Sequence, residues 1–276
     1  MESKPQTPNP KTNQKPNPKT KSKTDKNQAQ KPQKAPEKSP LKTKLQRLRT
    51  KLLISYYNNP AKDLKLVCIT GSTDKANVAR FVHEILQSAD IKSAVLASDG
   101  NIKPTIIHKF LNDARKNGAS YAIITAPATA LEANVFHQLP ISVAALTNFI
   151  PSISSFAQPG KYLNAKINLF AMQPEIVILN QDDRHYADFA KFKGSKKTFS
   201  YGTDTNTSVR IDDFTLYKKG SEANLAIGFK SLTTATFLTG ESAISAMACA
   251  AAIAHALNIA PDIITDGISN YEPNKN

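Results

Sequence analysis

A short polar segment between an apolar run and a helical pattern carries the clearest chemical signal in the sequence. Residues 66–70 are mainly apolar or β-branched, and residues 71–77 contain one glycine and one lysine, at which a helical pattern begins. A strand, a glycine-containing turn, a lysine and a helix N-terminus form the outline of a phosphate-binding loop. In such a loop, backbone N–H groups and the lysine ammonium hold phosphate oxygens. The candidate nucleotide-binding residues are Gly71, Ser72, Thr73, Lys75 and Ala76.

Three positions of this loop depart from a working phosphate site. Asp74 stands directly before the lysine, where glycine lets the backbone approach a phosphate and where a carboxylate repels it. Ala76 stands directly after the lysine, where Ser or Thr supplies a hydroxyl ligand for magnesium. Asn77 occupies a position at which a second Thr is expected. The loop therefore predicts weak ATP binding and disfavours magnesium, and the alternative for Lys75 is a solvated lysine on the first turn of a helix.

The positive charge of the chain is concentrated in its first 60 residues. The 276 residues carry a formal net charge of +14, and residues 1–60 hold 15 Lys and Arg against 3 Asp and Glu. Residues 1–40 contain eight prolines and three apolar residues, so we expect a disordered basic tail. Such a tail contacts anionic surfaces, either nucleic acid or membrane, or serves as a solubilising linker. The rest of the chain is nearly neutral, so the high isoelectric point describes the tail and not a nucleic-acid-binding domain.

Two further segments follow the tail. Residues 41–60 are predicted to form an amphipathic lead-in helix, because Leu and Tyr recur at helical spacing with Lys and Arg between them. This helix either packs on the next segment or binds a membrane surface or a partner. Residues 61–276 are predicted to form the main domain, which is long enough to bury one core.

Cysteine and histidine usage does not indicate a metal or disulfide site. Cys68 and Cys249 lie in apolar contexts far apart in the sequence, as expected of buried thiols in a reducing compartment. The five His are scattered and form no ligand pair. No run of about 18 apolar residues occurs, so no membrane-spanning helix is expected. These features predict a cytoplasmic protein.

Strand-like and helix-like segments alternate from residue 64 onward. Short continuous apolar strands separated by helices predict an α/β fold, with a mainly parallel sheet and helices on both of its faces. The strands are predicted over 64–70, 93–97, 121–125, 142–146 and 176–179, and the helices over 75–88, 105–117, 131–138, 161–171 and 183–192. Residues 197–239 change to β-rich segments with Gly-containing turns, which predict an antiparallel β extension at the sheet edge. An Ala-rich helix over 241–258 and a short helix over 261–272 complete the prediction.

Five segments, taken in order, carry a family resemblance. They read I-T-G-S-T-D-K at 69–75, Y-A-I-I-T-A-P-A-T-A-L at 121–131, A-A-L-T-N at 144–148, Y-L-N-A-K-I-N-L-F at 162–170, and V-I-L-N-Q-D-D at 177–183 followed by F-S-Y-G at 199–202. Together they resemble the motifs T-G-T-N-G-K-T-T, E-V-S-S-H-x-L, V-x-T-N, Y-x-x-A-K-x-x-L-F, L-N-x-D-D and T-Y-G of the central, ATP-binding domain of the Mur ligases. The branch they resemble in particular is UDP-N-acetylmuramoyl-tripeptide synthetase. The resemblance covers about residues 64–268 and implies a P-loop-like fold.

The resemblance implies roles for two lysines. Lys75 corresponds to the loop lysine that holds ATP phosphates in the family. Lys166 corresponds to a lysine that becomes carbamylated and supports a second metal, which makes it the candidate catalytic residue. The alternative for Lys166 is an ordinary lysine on an amphipathic helix, because its metal partners are missing.

Most other functional positions of the family are occupied by residues without the required chemistry. The magnesium-binding Glu, the motif His, the Asp-His pair after T-N and the adenine-facing Asn residues correspond to Thr125, Thr129, Ser154 with Ser155, and Ala243 with Ala246. Asp182 and Asp183 are candidates for metal carboxylates or for helix caps. Because magnesium balances the charge of a transferring phosphoryl group, these losses predict little catalysis and no metal-ligating residues.

Three hypotheses follow for the function. The first is a Mur-ligase-like domain that has lost most ligase chemistry and acts as a binding or regulatory relative in cell-wall precursor metabolism. The second is a divergent ATP-dependent amide ligase that a partner chain completes, because the family's nucleotide-sugar domain and closing domain have no counterpart in the expected architecture. The third is a scaffold whose basic tail contacts nucleic acid or membrane. The expected ligands are a nucleotide or a cell-wall precursor.

Overall fold

The computed structural model describes residues 48, 50–100, 102–151, 156 and 158–272. The predicted tail over 1–40 lies outside the described residues, as does most of the first half of the helix predicted over 41–60. Residues 50–56 are helical (α1), and a 3₁₀ turn at Pro60–Asp63 leads into the sheet. Part of the predicted segment is thus helical, but Leu52 and Tyr56 of its apolar stripe are exposed, so the amphipathic lead-in helix stays a prediction. Arg115 donates hydrogen bonds to the backbone oxygens of Tyr57 and Asn58, which follow α1.

A nine-stranded sheet forms the framework of the described residues. Its strands are β1 Lys65–Thr70, β2 Ser93–Leu96, β3 Tyr121–Thr125, β4 Ile141–Leu146, β5 Ile176–Asn180, β6 Lys197–Gly202, β7 Val209–Tyr217, β8 Gly220–Ile227 and β9 Lys230–Thr236. Their spatial order is β2-β3-β1-β4-β5-β6-β7-β8-β9. The pairs from β2 to β7 are parallel, and β7, β8 and β9 are antiparallel. The predicted parallel sheet with an antiparallel extension is confirmed.

Helices cover both faces of the sheet, as predicted. They are α2 Lys75–Ser88, α3 Pro104–Lys116, α4 Ala128–Glu132, α5 Pro159–Ala171, α6 Tyr186–Phe189, α7 Glu241–Ala256 and α8 Pro261–Ser269. The apolar residues of α2, α7 and α8 share one buried cluster with one face of the sheet, and those of α3, α4 and α5 share a second cluster with the other face. Parallel strands with both faces buried read as continuous apolar runs, which is why they were recognisable in the sequence.

Two predicted helices are wrong in extent. The helix predicted over 131–138 is the short α4 at Ala128–Glu132, and the following residues form turns in which Asn134 and Gln138 have positive φ angles. The helix predicted over 183–192 is reduced to the single turn α6. Asp183 explains the second difference, because its carboxylate accepts hydrogen bonds from the backbone N–H groups of Phe149 and His185. Side-chain bonds of this kind favour turns over helix.

The order of the strands places one loop at the centre of the sheet. β1 lies between β3 and β4, and its carboxyl end continues into residues 71–74 and then into α2. In open sheets of this class, ligands bind in the crevice outside the carboxyl ends of the strands, where the strand order reverses. The loop after β1 lies at such a point.

Candidate nucleotide-binding site

Gly71 allows the loop after β1 to lie directly against the end of β4. A Cβ atom built on Gly71 would lie 1.7 Å from Thr147 Oγ1, which no side chain can accommodate. Thr147 Oγ1 in turn donates a hydrogen bond of 2.7 Å to the backbone oxygen of Thr73. The loop can therefore approach the end of β4 this closely only because residue 71 has no side chain.

Asn148 holds two backbone N–H groups of the loop. Its Oδ1 accepts hydrogen bonds of 3.0 Å from the N–H groups of Ser72 and Thr73, and its Nδ2 donates to Thr73 Oγ1 at 2.7 Å. Two amides that would face a phosphate are thus bound by the protein itself. Asn148 was recognisable in the sequence as part of the T-N motif, but its hydrogen bonds to the loop were not predicted. The feature of the sequence that could have indicated them is its position just after β4.

Asp74 occupies the N-cap position of α2 in a left-handed backbone conformation, with φ 62°. Asp adopts this conformation more readily than most residues, so it can replace the glycine expected there. Asn77 Nδ2 donates a hydrogen bond of 3.1 Å to Asp74 Oδ1. The carboxylate makes no capping hydrogen bond to the N–H groups of α2, but it lies at the positive end of the helix dipole, where a phosphate would otherwise be favoured.

Lys75 is buried, with an exposed fraction of 6%. Its Nζ lies 3.0 Å from Oδ1 of Asp99 and 3.4 Å from the backbone oxygen of Ser72. The alternative of a solvated lysine is wrong, because the ammonium points back over the loop. Asp99 follows β2 and was not predicted as part of the site; nothing in the sequence near it indicates this contact.

Lys166, on α5, is the most deeply buried cation of the site, with an exposed fraction of 1%. Its Nζ donates a hydrogen bond of 2.5 Å to the backbone oxygen of Gly71 and lies 4.6 Å from the ring centroid of Tyr162. The pKa of Lys166 is lowered to about 7, mainly by burial and to a lesser extent by the charge of Lys75, while the charge of Asp99 acts in the opposite direction. Lys166 therefore lies on the buried side of α5, and its carbamylation stays a prediction beside the alternative of an ordinary lysine on an amphipathic helix.

One cavity of about 430 Å³ brings the predicted site residues together. Its described lining consists of Gly71, Ser72, Thr73, Asp74, Lys75, Ala76, Asn77, Asp99, Pro127, Ala128, Thr129, Phe156, Tyr162 and Lys166. The five predicted nucleotide-binding residues and the catalytic candidate Lys166 are all among them. The volume lies within the range of small-molecule sites in proteins.

The two positions from which the family holds magnesium offer no free oxygen ligand in this chain. Thr125, at the position of the family's metal-binding Glu, is fully buried, and its Oγ1 donates to the backbone oxygen of Ser98 at 2.8 Å and accepts from its N–H at 2.7 Å. Ala76 has no side-chain oxygen. Among the described residues, no three His, Cys, Asp or Glu cluster as a metal site would require. Ser154 and Ser155 lie outside the described residues.

Two acidic residues considered as metal ligands instead hold the backbone. The carboxylate of Asp182 accepts hydrogen bonds from the N–H of Thr203 at 3.1 and 3.0 Å. Asp183 binds the N–H groups of Phe149 at 2.6 Å and His185 at 2.8 Å. The N-cap of α6 is His185, so neither aspartate is the N-cap residue, although Asp183 accepts the N–H of His185 just before the helix.

The positions expected to face adenine contribute no hydrogen-bonding side chain. Ala243 and Ala246 lie on α7 with exposed fractions of 2% each, and Ala246 belongs to the apolar cluster on one face of the sheet. Cys249, on the same helix, is also buried, and Cys68 of β1 is likewise a buried free thiol.

In the part of the chain that the structure describes, no helix is long and apolar enough to cross a bilayer.

Comparison with known proteins decides the family. Residues 69–254 match the family described as the Mur ligase middle domain. The chain belongs to the Mur ligase middle-domain family. The resemblance recognised in the five sequence motifs is thereby confirmed, and the match begins one residue before the end of β1 and extends into α7.

Curated relatives of the chain are Mur ligases. A UDP-N-acetylmuramyl-tripeptide synthetase of Borrelia garinii subsp. bavariensis is 30% identical over 197 residues, which cover 60% of this chain and 38% of the relative. A UDP-N-acetylmuramoyl-L-alanyl-D-glutamate–2,6-diaminopimelate ligase of Bacillus licheniformis is 25% identical over 240 residues, covering 79% of this chain and 49% of the relative. The chain therefore spans half or less of these Mur ligases.

Solved structures of Mur ligases share the fold. A UDP-N-acetylmuramoyl-L-alanyl-D-glutamate–2,6-diaminopimelate ligase superposes with a TM-score of 0.73 at 20% identity, covering 81% of this chain and 49% of the other. A MurF ligase of Thermotoga maritima, solved in complex with ADP, superposes with a TM-score of 0.64 at 14% identity, covering 81% and 52%. These Mur ligases confirm the α/β architecture.

Proposed function

We propose that this chain is a Mur-ligase-like middle domain that binds an anionic ligand, a nucleotide or a cell-wall precursor, and does not catalyse amide ligation on its own. The observation that carries this proposal is the replacement of the metal-holding oxygens. Ala76 and Thr125 occupy the two positions from which the family holds magnesium, and the hydroxyl of Thr125 is already bonded to Ser98. Its role is then regulatory or recognition-based within cell-wall precursor metabolism.

The chemistry of acid–amine ligation explains why these replacements matter. In the family the reaction forms an acyl phosphate from a carboxylate and ATP, and an amine then displaces the phosphate. The transferring phosphoryl group carries charge that metal ions and fixed cations balance. Loss of one electrostatic contact of this kind typically costs about 10²–10³ in rate. Several losses at one site leave little catalysis, although such effects are not additive.

The remaining cations support binding. Lys75 and Lys166 approach the loop from different elements, and residues of the first turn of α2 line the same cavity. A helix N-terminus with two nearby ammonium groups suits an anion. The cell-wall connection of the ligand rests on the names of the relatives, which act on UDP-N-acetylmuramoyl peptides.

A second candidate is a divergent ligase that works with a partner chain. The burial of Lys166 and its bond to Gly71 favour it, because a merely structural lysine would not need to reach the phosphate loop. The partner would supply the domain that closes over the site, excludes water and orients the amine.

A titration of ATP by calorimetry, with and without magnesium, separates the two candidates. For the binding relative we expect weak affinity that magnesium changes by less than about threefold, because Ala76 and Thr125 offer no free oxygen at the two positions from which the family holds magnesium. Restoring one ligand with Ala76→Thr should introduce a magnesium dependence, and Ala133→Thr, on the turn after α4, serves as a control for the added hydroxyl. Tight, magnesium-dependent ATP binding by the unaltered chain would refute the proposal and favour the ligase.

A further inference from the structure

Two carboxylates of the chain lie where the loop would hold phosphates. Asp74 lies at the N-terminus of α2, held by Asn77 at 3.1 Å, and Asp99 lies 3.0 Å from Lys75 Nζ. A phosphate-binding loop uses these same two groups, the helix N-terminus and the lysine ammonium, to bind phosphate oxygens. The chain thus places its own anions at both.

The cavity has no excess of positive charge before a ligand binds. Its described lining contains two aspartates, Asp74 and Asp99, and two lysines, Lys75 and Lys166, of which Lys166 is only partly charged at neutral pH because its pKa is about 7. Asn148 binds the N–H groups of Ser72 and Thr73, which removes two further donors from the set available to an anion. A triphosphate brings several negative charges to this site, and no described group compensates for them.

The two aspartates differ in how easily they can be displaced. The Asp99 side chain has an exposed fraction of 74%, and exposed ion pairs contribute little to stability, so the Asp99 carboxylate can swing into solvent. Asp74 has its backbone fixed at the N-cap and its carboxylate held by Asn77. A ligand can therefore replace Asp99 on Lys75, whereas Asp74 stays.

We propose that Asp74 and Asp99 act as internal substitutes for phosphates and set the charge class of the ligand. A ligand with a single phosphate group, a phosphate monoester, displaces Asp99 from Lys75, and Asp74 disfavours a second or third phosphate. This inference rests on the proposed function in so far as both need an anion in the cavity. It adds which anion the cavity selects and which residues select it.

The test is a calorimetric titration of AMP, ATP and inorganic phosphate, all without magnesium, against four forms of the full chain. These are the unaltered chain, Asp99→Asn, Asp74→Asn and the control Asp113→Asn. Asp113 forms an exposed ion pair with Lys109 outside the cavity, so this control removes the same charge from a comparable pair. Asparagine keeps the shape of the side chain and tolerates the left-handed backbone at residue 74.

We expect the unaltered chain to bind AMP at least about threefold more tightly than ATP, as charge repulsion requires. Asp99→Asn should raise the affinity for AMP and for inorganic phosphate about fivefold, because the competing carboxylate is gone. Asp74→Asn should raise the affinity for ATP more than that for AMP and so reduce the preference. Asp113→Asn should leave all three affinities unchanged within twofold.

Each contrary outcome has a distinct meaning. Tighter binding of ATP than AMP, unaffected by either cavity variant, overturns the inference and leaves the proposed non-catalytic binding intact. Binding that appears only in Asp99→Asn or Asp74→Asn supports the internal substitution and contradicts anion binding by the natural chain. Failure of every form to bind any of the three ligands overturns the inference, and the proposed function then depends on titration with a UDP-N-acetylmuramoyl peptide.

Discussion

We expect Gly71→Ala to lower the free energy of unfolding by about 3 kcal/mol or more, which is large for a single methyl group. The added Cβ would lie 1.7 Å from Thr147 Oγ1, 2.9 Å from Thr147 Cβ and 3.2 Å from the backbone nitrogen of Asn148. Either the loop moves away from β4 or the bond from Thr147 to the Thr73 oxygen breaks. Both responses open the cavity as well, so anion binding should be lost in the fraction of molecules that remains folded.

Urea unfolding of Gly71→Ala beside Gly160→Ala measures this effect. Gly160 lies on α5, and a Cβ built there meets nothing within 4 Å, so that substitution should be neutral or slightly stabilising. Both changes reduce the conformational freedom of the unfolded chain alike, so the difference measures the contact with Thr147 together with the φ of +159° at residue 71, which residues with a side chain rarely adopt. The double variant Gly71→Ala/Thr147→Gly should be less destabilised than the sum of its single changes. Equal stability of the two alanine variants would show that the loop is not packed against β4.

We expect the free energy of unfolding of the unaltered chain, relative to that of Lys166→Met, to rise by about 1 kcal/mol per pH unit between pH 7 and pH 9. Burial is the main cause that lowers the pKa of Lys166 to about 7, whereas the unfolded chain has the ordinary lysine value of 10.5. Below pH 7 Lys166 is charged in both the folded and the unfolded chain, and the folded chain bears the full free-energy cost of burying the ammonium. Between the two pKa values the unfolded chain binds more protons, so raising the pH removes that cost progressively. Above both values the slope vanishes.

Urea midpoints at pH 7, 8 and 9 provide the measurement for Lys166. Lys109→Met is the matched control, because Lys109 is exposed and its bond to Asp113 raises its pKa, so it does not titrate in this range. The difference between the chain and Lys109→Met should therefore stay constant with pH. A constant difference between the chain and Lys166→Met would mean that Lys166 keeps an ordinary pKa and that its ammonium reaches water.

The elements nearest to the site were predictable because their signals are local. β1 is a continuous apolar run, and α2 begins at the lysine and repeats apolar residues at helical spacing, so its predicted bounds match those observed. The extent of α6 was not predictable in the same way. It depends on a bond between Asp183 and Phe149, which lie 34 positions apart in the sequence.

The chemistry of the cavity depends mainly on contacts that no local pattern contains. Lys166 was identified through its motif, but its buried ammonium donates a hydrogen bond to the backbone oxygen of Gly71, which lies 95 positions away in the sequence. The bond from Asn148 to the loop and the ion pair between Asp99 and Lys75 join separate strand ends. Sequence reasoning could identify which residues follow which strand, and the strand order was needed to show that they meet.

The central position of β1 also has a consequence for how the chain is made. Both of its hydrogen-bonded neighbours come later in the sequence, since β3 begins at Tyr121 and β4 at Ile141. At a translation rate of about 5–20 residues per second, the backbone N–H and C=O groups along both edges of β1 stay without strand partners for several seconds after it leaves the ribosome. During that interval chaperones can bind the nascent chain and wrong associations can form. The hydrogen bonds from the N–H groups of Ser72 and Thr73 to Asn148 can form only after β4 has emerged.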